Sequence, residues 1–474
     1  MQCFAVGFML SFPGILNQAI LSPNATDLRA TLDQASWIAA SQGITGMIGF
    51  FIMPAVMQMF GRKTVHYVIN LVVLIGFIIY FFATNIACLF AARLSQGLSI
   101  SGVYITLVIL AEYSSPKRRG YFISIKKTAV ALGSLICHSF IVICTWRQIA
   151  LLGAFMSTLA IIATIPWPES PAYLAMMVKF EECDKSYTWL NGNSLETRKE
   201  LEDLITAQTE RRMKKVDGYV WTRVWRKITR KDFLKPFLIT TLLTIVIESC
   251  GRYYNIAYIV QIMTDVMKDK SVAVYCSMGS DILTIIALLS SSFVITNFKR
   301  RTILFSCGLV SVVLMLLVSL TMFLKNNNYL KGPLLFLPMC CILVNSFISN
   351  IGIMPICFTV SGEIFPIEHR GVGTCATGIV FTIFCSVVLK CTPILIDKTG
   401  VEGTYAIYGL CLFISLISLN LIMNETKDKS LQEIEDEIKG VKRNNELFVE
   451  KQDIDNKIKL IEVNKEEEVF SYKI

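Results

Sequence analysis

Apolar residues occur along the chain in long blocks that are separated by short polar or charged segments. Each block is about 20 residues long, and a helix of that length crosses the ~30 Å hydrocarbon core of a bilayer. The blocks occupy residues 2–22, 36–58, 64–84, 87–110, 121–144 and 148–167, and then 235–264, 273–296, 302–324, 333–360, 372–396 and 403–423. The pattern predicts an all-α membrane protein with twelve transmembrane helices.

The composition supports a membrane protein and argues against other classes. The 474 residues are 54% hydrophobic and 17% charged, whereas soluble domains contain about 25% charged residues. The net charge of +9 is explained by Lys and Arg in cytoplasmic loops, so we expect a lipid bilayer and no nucleic acid as partner. The 15 cysteines and three histidines form no disulfide or metal pattern. We expect no cofactor, no metal and no enzymatic activity.

Basic segments alternate along the chain with loops that carry few net positive charges. They are "GRK" (61–63), "SPKRRG" (115–120), the stretch 168–233, "NFKRR" (297–301), "EHR" (368–370) and the tail. Because Lys and Arg mark cytoplasmic loops, we expect both termini in the cytoplasm and the protein in the plasma membrane. The sequon Asn24-Ala25-Thr26 then lies in an external loop, where it predicts glycosylation.

The polar segments also predict the domain organisation. We expect an N-terminal six-helix half at 1–167, a cytoplasmic linker with short helices at 168–233, a C-terminal six-helix half at 234–423 and a cytoplasmic tail at 424–474. Within the linker, "KSYTWL" and "ETRKELEDLITAQTERRMKK" read as short amphipathic helices.

Three landmarks recur in the same order in the two halves. "GRK" (61–63) corresponds to "KRR" (299–301), "EYSSPKRRG" (112–120) to "EIFPIEHRG" (363–371), and "PESP" (168–171) to "NETK" (424–427). Such a repeat predicts two homologous halves that expose a site near the bilayer midplane to each side in turn. Pairing of the repeated charges would then bias the equilibrium between the two states.

These landmarks resemble those of the sugar porters of the major facilitator superfamily, and within it insect facilitated trehalose transporter-like proteins. "PESPAYL" (168–174) is similar to PESPRWL, and "NETKDKSLQEIE" (424–435) to PETKGKSLEEIE. "ARLSQGLSISG" (92–102) resembles GRFLxGxGxG, and "SGEIFPIEHRG" (361–371) resembles GEIFPxxxRG. The resemblance covers nearly the whole chain and implies the major facilitator fold.

The resemblance also implies a cytoplasmic network of charges that gates transport. The matching positions are Arg93, Glu112, Arg119, Glu169, Arg300, Arg301, Glu363, Arg370 and Glu425. Ala172 stands where the family has arginine, so one member of the network is missing.

The sugar-binding positions that the resemblance implies depart further from the family. Lys127 stands where the fifth span of the family has glutamine. The family's QQxSGINxxxYY is replaced by "IESCGRYYNIAY" (247–258), and its PIPW by "PICF" (355–358). Neutral amides both donate to and accept from a polyol, so charges change what the site prefers. The candidate substrate-binding residues are Lys127, Glu248, Arg252, Tyr253, Tyr258 and Phe358.

Glu248 and Arg252 are four residues apart in what reads as one apolar helix, where an ionised side chain costs roughly 2.5–3.5 kcal/mol. Three interpretations stay open. The two residues form an internal i,i+4 salt bridge beside a modified sugar site. Alternatively, Glu248, Arg252 and Lys127 line a site for a charged solute. In the third, the protein no longer transports and acts as a sensor.

The sequence as a whole predicts a transporter that carries a small sugar by alternating access. Trehalose and a hexose are the leading substrates. Proton-coupled sugar porters carry an acid in the first span, and "GFMLSFPGILNQAIL" (7–21) has none, so the resemblance implies facilitated uniport. A non-transporting sugar sensor and a carrier of a charged solute are the alternatives, and the oligomeric state stays open.

Overall fold

The computed structural model describes residues 1–427 except 23–26, 114–118, 195–196, 199–200, 203, 207–230, 331 and 366–369. The predicted glycosylation site Asn24 therefore lies outside the described residues. The described chain is helical from its beginning, and it contains all twelve of the predicted spans.

The first six spans lie between residues 2 and 164. They are span 1 (Gln2–Leu21), span 2 (Leu32–Phe60), span 3 (Arg62–Phe81), span 4 (Ile86–Gly97, a 3₁₀ turn at Leu98–Ser101, then Gly102–Tyr113), span 5 (Arg119–Phe140) and span 6 (Trp146–Thr164). Spans 2 and 6 each begin with a capping box, in which Thr31 or Thr145 exchanges hydrogen bonds with a glutamine three residues later. These polar caps fix where two of the helices begin.

Two short helices follow span 6. Pro171–Met176 begins after Ser170, whose side chain accepts from the Tyr173 N–H, and Phe180–Asn191 covers the segment "KSYTWL". Leu174 and Cys183 are buried between them.

The last six spans begin at residue 231. They are span 7 (Lys231–Ser249 and Arg252–Met267), span 8 (Lys270–Asn297), span 9 (Arg300–Asn326), span 10 (Leu337–Ile348, a π turn at Ser349–Ile353, then Met354–Glu363), and spans 11 and 12, which share Arg370–Ile422. Gly400, with φ 71°, separates span 11 from span 12. Spans 7 and 10 are thus interrupted within the bundle, although the sequence predicts each as one continuous helix.

The length and polarity of these helices fit a membrane. Within the described residues, ten helical segments are long and apolar enough to cross one, and the longest of them holds spans 11 and 12. Span 5, which carries Lys126 and Lys127 and whose first residues are only partly described, is not among them. Large apolar side chains cover the outside of the bundle; Phe293 is 70% exposed and Leu421 is 80% exposed. Lipid tails cover such a surface favourably, whereas exposing it to water costs free energy.

Because successive spans alternate in direction, the described residues at 61, 113, 165–194, 298–299, 364–365 and 423–427 lie at one end of the bundle, here called the basic face. The described loop residues at 22, 27–31, 82–85, 141–145, 268–269, 327–330, 332–336 and 400 lie at the other end, the opposite face.

Among the described residues, the two halves meet mainly where span 2 packs on span 11, span 5 on span 8, and span 1 on the second segment of span 7. The first pair approaches closely at Gly43, where an added Cβ would lie 2.6 Å from the Thr382 carbonyl oxygen. A larger residue at this position would push spans 2 and 11 apart.

Candidate functional site

A cavity of about 120 Å³ lies between the two halves, on the side of the basic face. Spans 1, 4 and 5 line it from the first half, and spans 7, 8 and 10 line it from the second. Four of the candidate substrate-binding residues contribute to this lining: Lys127, Arg252, Tyr253 and Phe358. Residues separated by more than 200 positions therefore face one common space.

The interruption of span 7 brings Arg252 and Tyr253 to this cavity. Gly251 adopts a left-handed conformation with φ 100°, which glycine tolerates because it has no Cβ. The carbonyl of Cys250 is consequently free of the helix, and it accepts from Asn345 Nδ2 at 3.1 Å and Ser349 Oγ at 3.3 Å in span 10. Broken helices inside a membrane need such polar partners from neighbouring helices.

The first of the three interpretations, an internal salt bridge between Glu248 and Arg252, is not present in the structure. Both carboxylate oxygens of Glu248 and the Nε of Arg252 are buried without a hydrogen-bond partner. Spacing of four residues brings side chains together only along a continuous helix. Here the left-handed Gly251 lies between the two residues, so they do not stack on one face.

Glu248 and Tyr258 take no part in lining the cavity between the halves. Glu248 is only 1% exposed, on the first segment of span 7. Tyr258 donates from its hydroxyl to the Leu389 carbonyl at 2.8 Å, which ties span 7 to span 11. Both are interior residues in this conformation, and only Lys127 and Arg252 supply the charges that the sequence placed at the site.

Aromatic side chains from both halves cluster beside the cavity, and two of them, Tyr253 and Phe358, line it. Tyr104 of span 4 lies 6.1 Å from Phe358 of span 10 and 6.5 Å from Phe381 of span 11, measured between ring centroids. Tyr253 contacts Phe381 edge-on at 5.3 Å. These rings provide flat apolar surface beside the charged residues.

A buried histidine–aspartate pair joins spans 5 and 8 next to Arg252. His138 Nδ1 lies 2.6 Å from Asp281 Oδ2, and Ser134 Oγ donates to Asp281 Oδ1 at 3.3 Å. Arg252 and Asp281 both line a further small cavity of about 20 Å³. Sequence reasoning missed this pair, although an acid within a membrane span is by itself a signal of function. It also missed Lys126, which lines the larger cavity.

On the basic face of the first half, Arg62 and Glu112 form a two-pronged ion pair. Arg62 Nε and Nη2 each lie 2.7 Å from a carboxylate oxygen of Glu112. Ser170 Oγ donates to the same carboxylate at 2.6 Å. Glu169 accepts from the backbone N–H of Arg62 at 2.8 Å and of Lys63 at 3.2 Å, so it caps the start of span 3.

The second half repeats this cap. Glu425 accepts from the backbone N–H groups of Arg300 at 3.1 Å and Arg301 at 3.0 Å at the start of span 9. Burial raises the pKa of Glu425, but the N–H donors of Lys427, Arg301, Thr426 and Arg300 outweigh burial and hold that pKa below its ordinary value. The sequence repeat thus corresponds to a repeated local structure, with a glutamate bound to backbone rather than to guanidinium groups.

Arg93 does not belong to the network on the basic face, contrary to the sequence expectation. It is 1% exposed, and its guanidinium donates to the Met9 carbonyl at 3.0 Å inside the bundle. Its position, seven residues into span 4 from the opposite face, excludes contact with Glu112 at the other end of that span. The side chains of Arg119, Glu363 and Arg370 lie outside the described part of the chain.

On the opposite face, one ion pair connects the two halves. Lys390 of span 11 lies 2.5 Å from Asp33 Oδ1 and donates to Ser36 Oγ at 2.9 Å, both at the start of span 2. The Lys390 ammonium also lies 4.5 Å from the centre of the Trp37 ring. Nearby, Arg147 binds Asp27 through two hydrogen bonds of 2.6 and 2.8 Å, and this bonding lowers the pKa of Asp27.

A family model described as "Sugar (and other) transporter" matches residues 2–438. The chain belongs to the sugar transporter family. Members of this family are multi-pass membrane proteins. The family membership that the sequence motifs predict is confirmed.

Relatives of this sugar transporter family member include facilitated trehalose transporters of insects. The Drosophila yakuba protein, Tret1, is 24% identical over 437 residues, which cover 92% of this chain and 50% of that protein. The Bombyx mori protein is 24% identical over 425 residues, covering 89% of this chain and 82% of that one. The chain thus spans only half the length of some of the relatives it matches.

Solved structures of a bacterial xylose transporter share the fold. The inward-open form of XylE from E. coli superposes with a TM-score of 0.69 at 16% identity, covering 92% of this chain and 97% of that one. XylE bound to 6-bromo-6-deoxy-D-glucose gives 0.71 at 15% identity, with the same coverage. The predicted major facilitator fold of twelve helices is confirmed.

Proposed function

We propose that this protein carries a sugar across the plasma membrane by alternating access, as a facilitated uniporter. The observation that supports this most directly is the cavity whose lining comes from both halves. A site at the interface of two halves can open to either side when the halves rock against each other. The family match and the names of the insect relatives favour a sugar as the solute.

Two features of the bundle support the mechanism. Contacts between the halves on the opposite face depend on polar side chains, as in the Lys390–Asp33 pair, and such contacts can break and re-form. Within each half, the glutamate caps at Glu169 and Glu425 hold the ends of neighbouring spans together on the basic face. We propose that each half moves as a rigid unit, with its termini in the cytoplasm.

The size of the cavity favours a hexose over trehalose. Pockets for drug-sized ligands usually measure about 300–1,000 Å³, whereas this cavity measures about 120 Å³. A monosaccharide needs less widening of the site than a disaccharide does.

Uptake into oocytes tests this proposal. Labelled glucose, other hexoses and trehalose are compared at two external pH values, with surface biotinylation to verify the amount of protein. We expect saturable uptake of a monosaccharide that does not increase at acid pH. Sugar binding without uptake would instead identify a sensor, and faster uptake at acid pH would refute uniport. Accessibility of terminal epitope tags in intact cells tests the orientation.

A further inference from the structure

The cavity between the halves is positively charged. Lys126, Lys127 and Arg252 line it, and none of the described residues in its lining is Asp or Glu. Lys126 donates to the Val103 carbonyl at 2.5 Å, which occupies one of its three N–H groups. Lys127 and Arg252 have no hydrogen bond or ion pair to any described residue, and the Nε of Arg252 is buried.

The acidic side chains near the cavity either have other hydrogen-bond partners or do not line it. Both carboxylate oxygens of Asp281 already have partners, one in His138 and the other in Ser134. Glu248 is separated from Arg252 by the left-handed turn at Gly251 and does not reach the lining. Asp281 therefore lies near Arg252 without forming an ion pair with it, and none of the described acids forms an ion pair with Lys127.

Cations without counter-ions are costly within a membrane protein, and they usually mark a pathway for a solute of opposite charge. Ammonium and guanidinium groups can only donate hydrogen bonds, whereas a neutral sugar hydroxyl also needs acceptors. The flat guanidinium fork fits a carboxylate or a phosphate with two parallel bonds. The rings of Tyr253 and Phe358 supply apolar surface for the remainder of the solute.

We infer that the cavity binds an anionic monosaccharide whose carboxylate or phosphate group is held by Lys127 and Arg252. This inference rests on the proposed function as a sugar carrier and specifies its substrate class. Tyr253 and Phe358 contact the sugar ring, and the two cations set the preference for charge.

Transport of an anion produces a current, which separates this inference from carriage of a neutral sugar. Oocytes expressing the full chain are given glucose, glucuronate or glucose 6-phosphate under voltage clamp, with labelled uptake measured in parallel. We expect glucuronate or glucose 6-phosphate to enter faster than glucose, with an outward current, and the better of the two identifies the anionic group.

Substitutions then test the two cations. Lys127→Gln and Arg252→Gln each raise KM for the anionic sugar by about tenfold or more, because each removes a charge-assisted hydrogen bond. Lys127→Arg retains uptake because it keeps the charge, and it guards against a folding defect as the cause. Lys398→Gln, at an exposed lysine near the end of span 11, serves as the matched control and leaves uptake unchanged.

The outcomes distinguish the inference from the proposed function. Uptake of glucose without current, with no uptake of either anion, would overturn the inference and leave the sugar carrier intact. Equal KM values for the anion in the parent and in both glutamine variants would also overturn it. Absence of all uptake by protein present at the surface would refute the proposed function itself.

Discussion

The Lys390–Asp33 pair predicts how the equilibrium between the two transport states can be shifted. All contacts of the Lys390 ammonium described above are with the start of span 2, at Asp33, Ser36 and Trp37. These contacts join the first half to the second on the opposite face. They are lost when the halves separate there, so Lys390→Gln favours the state that is open on that face.

The magnitude follows from the three contacts. Asp33 is 71% exposed, so its ion pair contributes about 0.2–1 kcal/mol. The hydrogen bond to Ser36 adds about 1 kcal/mol, and the contact with the Trp37 ring adds about 0.5–1 kcal/mol. Their loss shifts the equilibrium by about 2–3 kcal/mol, a factor of roughly 20–150.

Thiol labelling measures this shift. A vestibule of about 300 Å³ between spans 1 and 7 on the opposite face includes Gln261, and Gln261→Cys reports its opening to a membrane-impermeant reagent. We expect Lys390→Gln to speed labelling of this cysteine relative to the parent that carries the same reporter, and the protein without the reporter gives the background labelling. Exchanging the charges, with Asp33→Lys and Lys390→Asp combined, slows labelling again in part. Equal labelling in the parent and in Lys390→Gln would refute the assignment of this pair as a contact specific to one state.

Three further predictions concern charged groups elsewhere in the chain. Glu425→Ala removes the cap of span 9 and lowers the unfolding free energy of detergent-solubilised protein by about 0.5–2 kcal/mol; an unchanged melting temperature contradicts the capping role. Asp27→Asn is less stable than the parent at pH 7, because Arg147 lowers the pKa of Asp27 and the folded state therefore favours its ionised form. That difference is present above the ordinary pKa of about 4 and disappears as pH falls through the lowered pKa; thermal melts that differ equally at pH 7 and pH 3 argue against it. The effects of Glu248→Gln and Arg252→Ile on the unfolding free energy add to within about 0.5 kcal/mol when the two substitutions are combined. A coupling energy above that value would indicate a direct interaction between the two side chains, which the structure lacks.

The twelve spans could be predicted from the sequence because membrane insertion depends mainly on local composition. A block of about 20 apolar residues buries itself in lipid whatever its neighbours are. The repeated glutamates were equally visible, since Glu169 and Glu425 each follow the last span of a half and act on the start of the third span in that half. These features need only short-range information and order along the chain.

Glu248 and Arg252 show where local reasoning failed. The spacing of four residues assumes a continuous helix, but the interruption at Gly251 is stabilised from outside by Asn345 and Ser349 of span 10. No pattern within span 7 reports those partners. Arg93 failed for a related reason, because its motif fixes its position along span 4 but not the buried carbonyl of Met9 that it contacts.

The sequence by itself determined the number of spans, the two-fold repeat, the family and the residue types that replace the family's amides. Only the tertiary structure decided which charges have partners. His138 and Asp281 meet across the two halves although 143 positions separate them, and that contact occupies an acid that lines the same small cavity as Arg252. The charge of a site is set by the distance between side chains in space, and packing of the twelve helices fixes that distance.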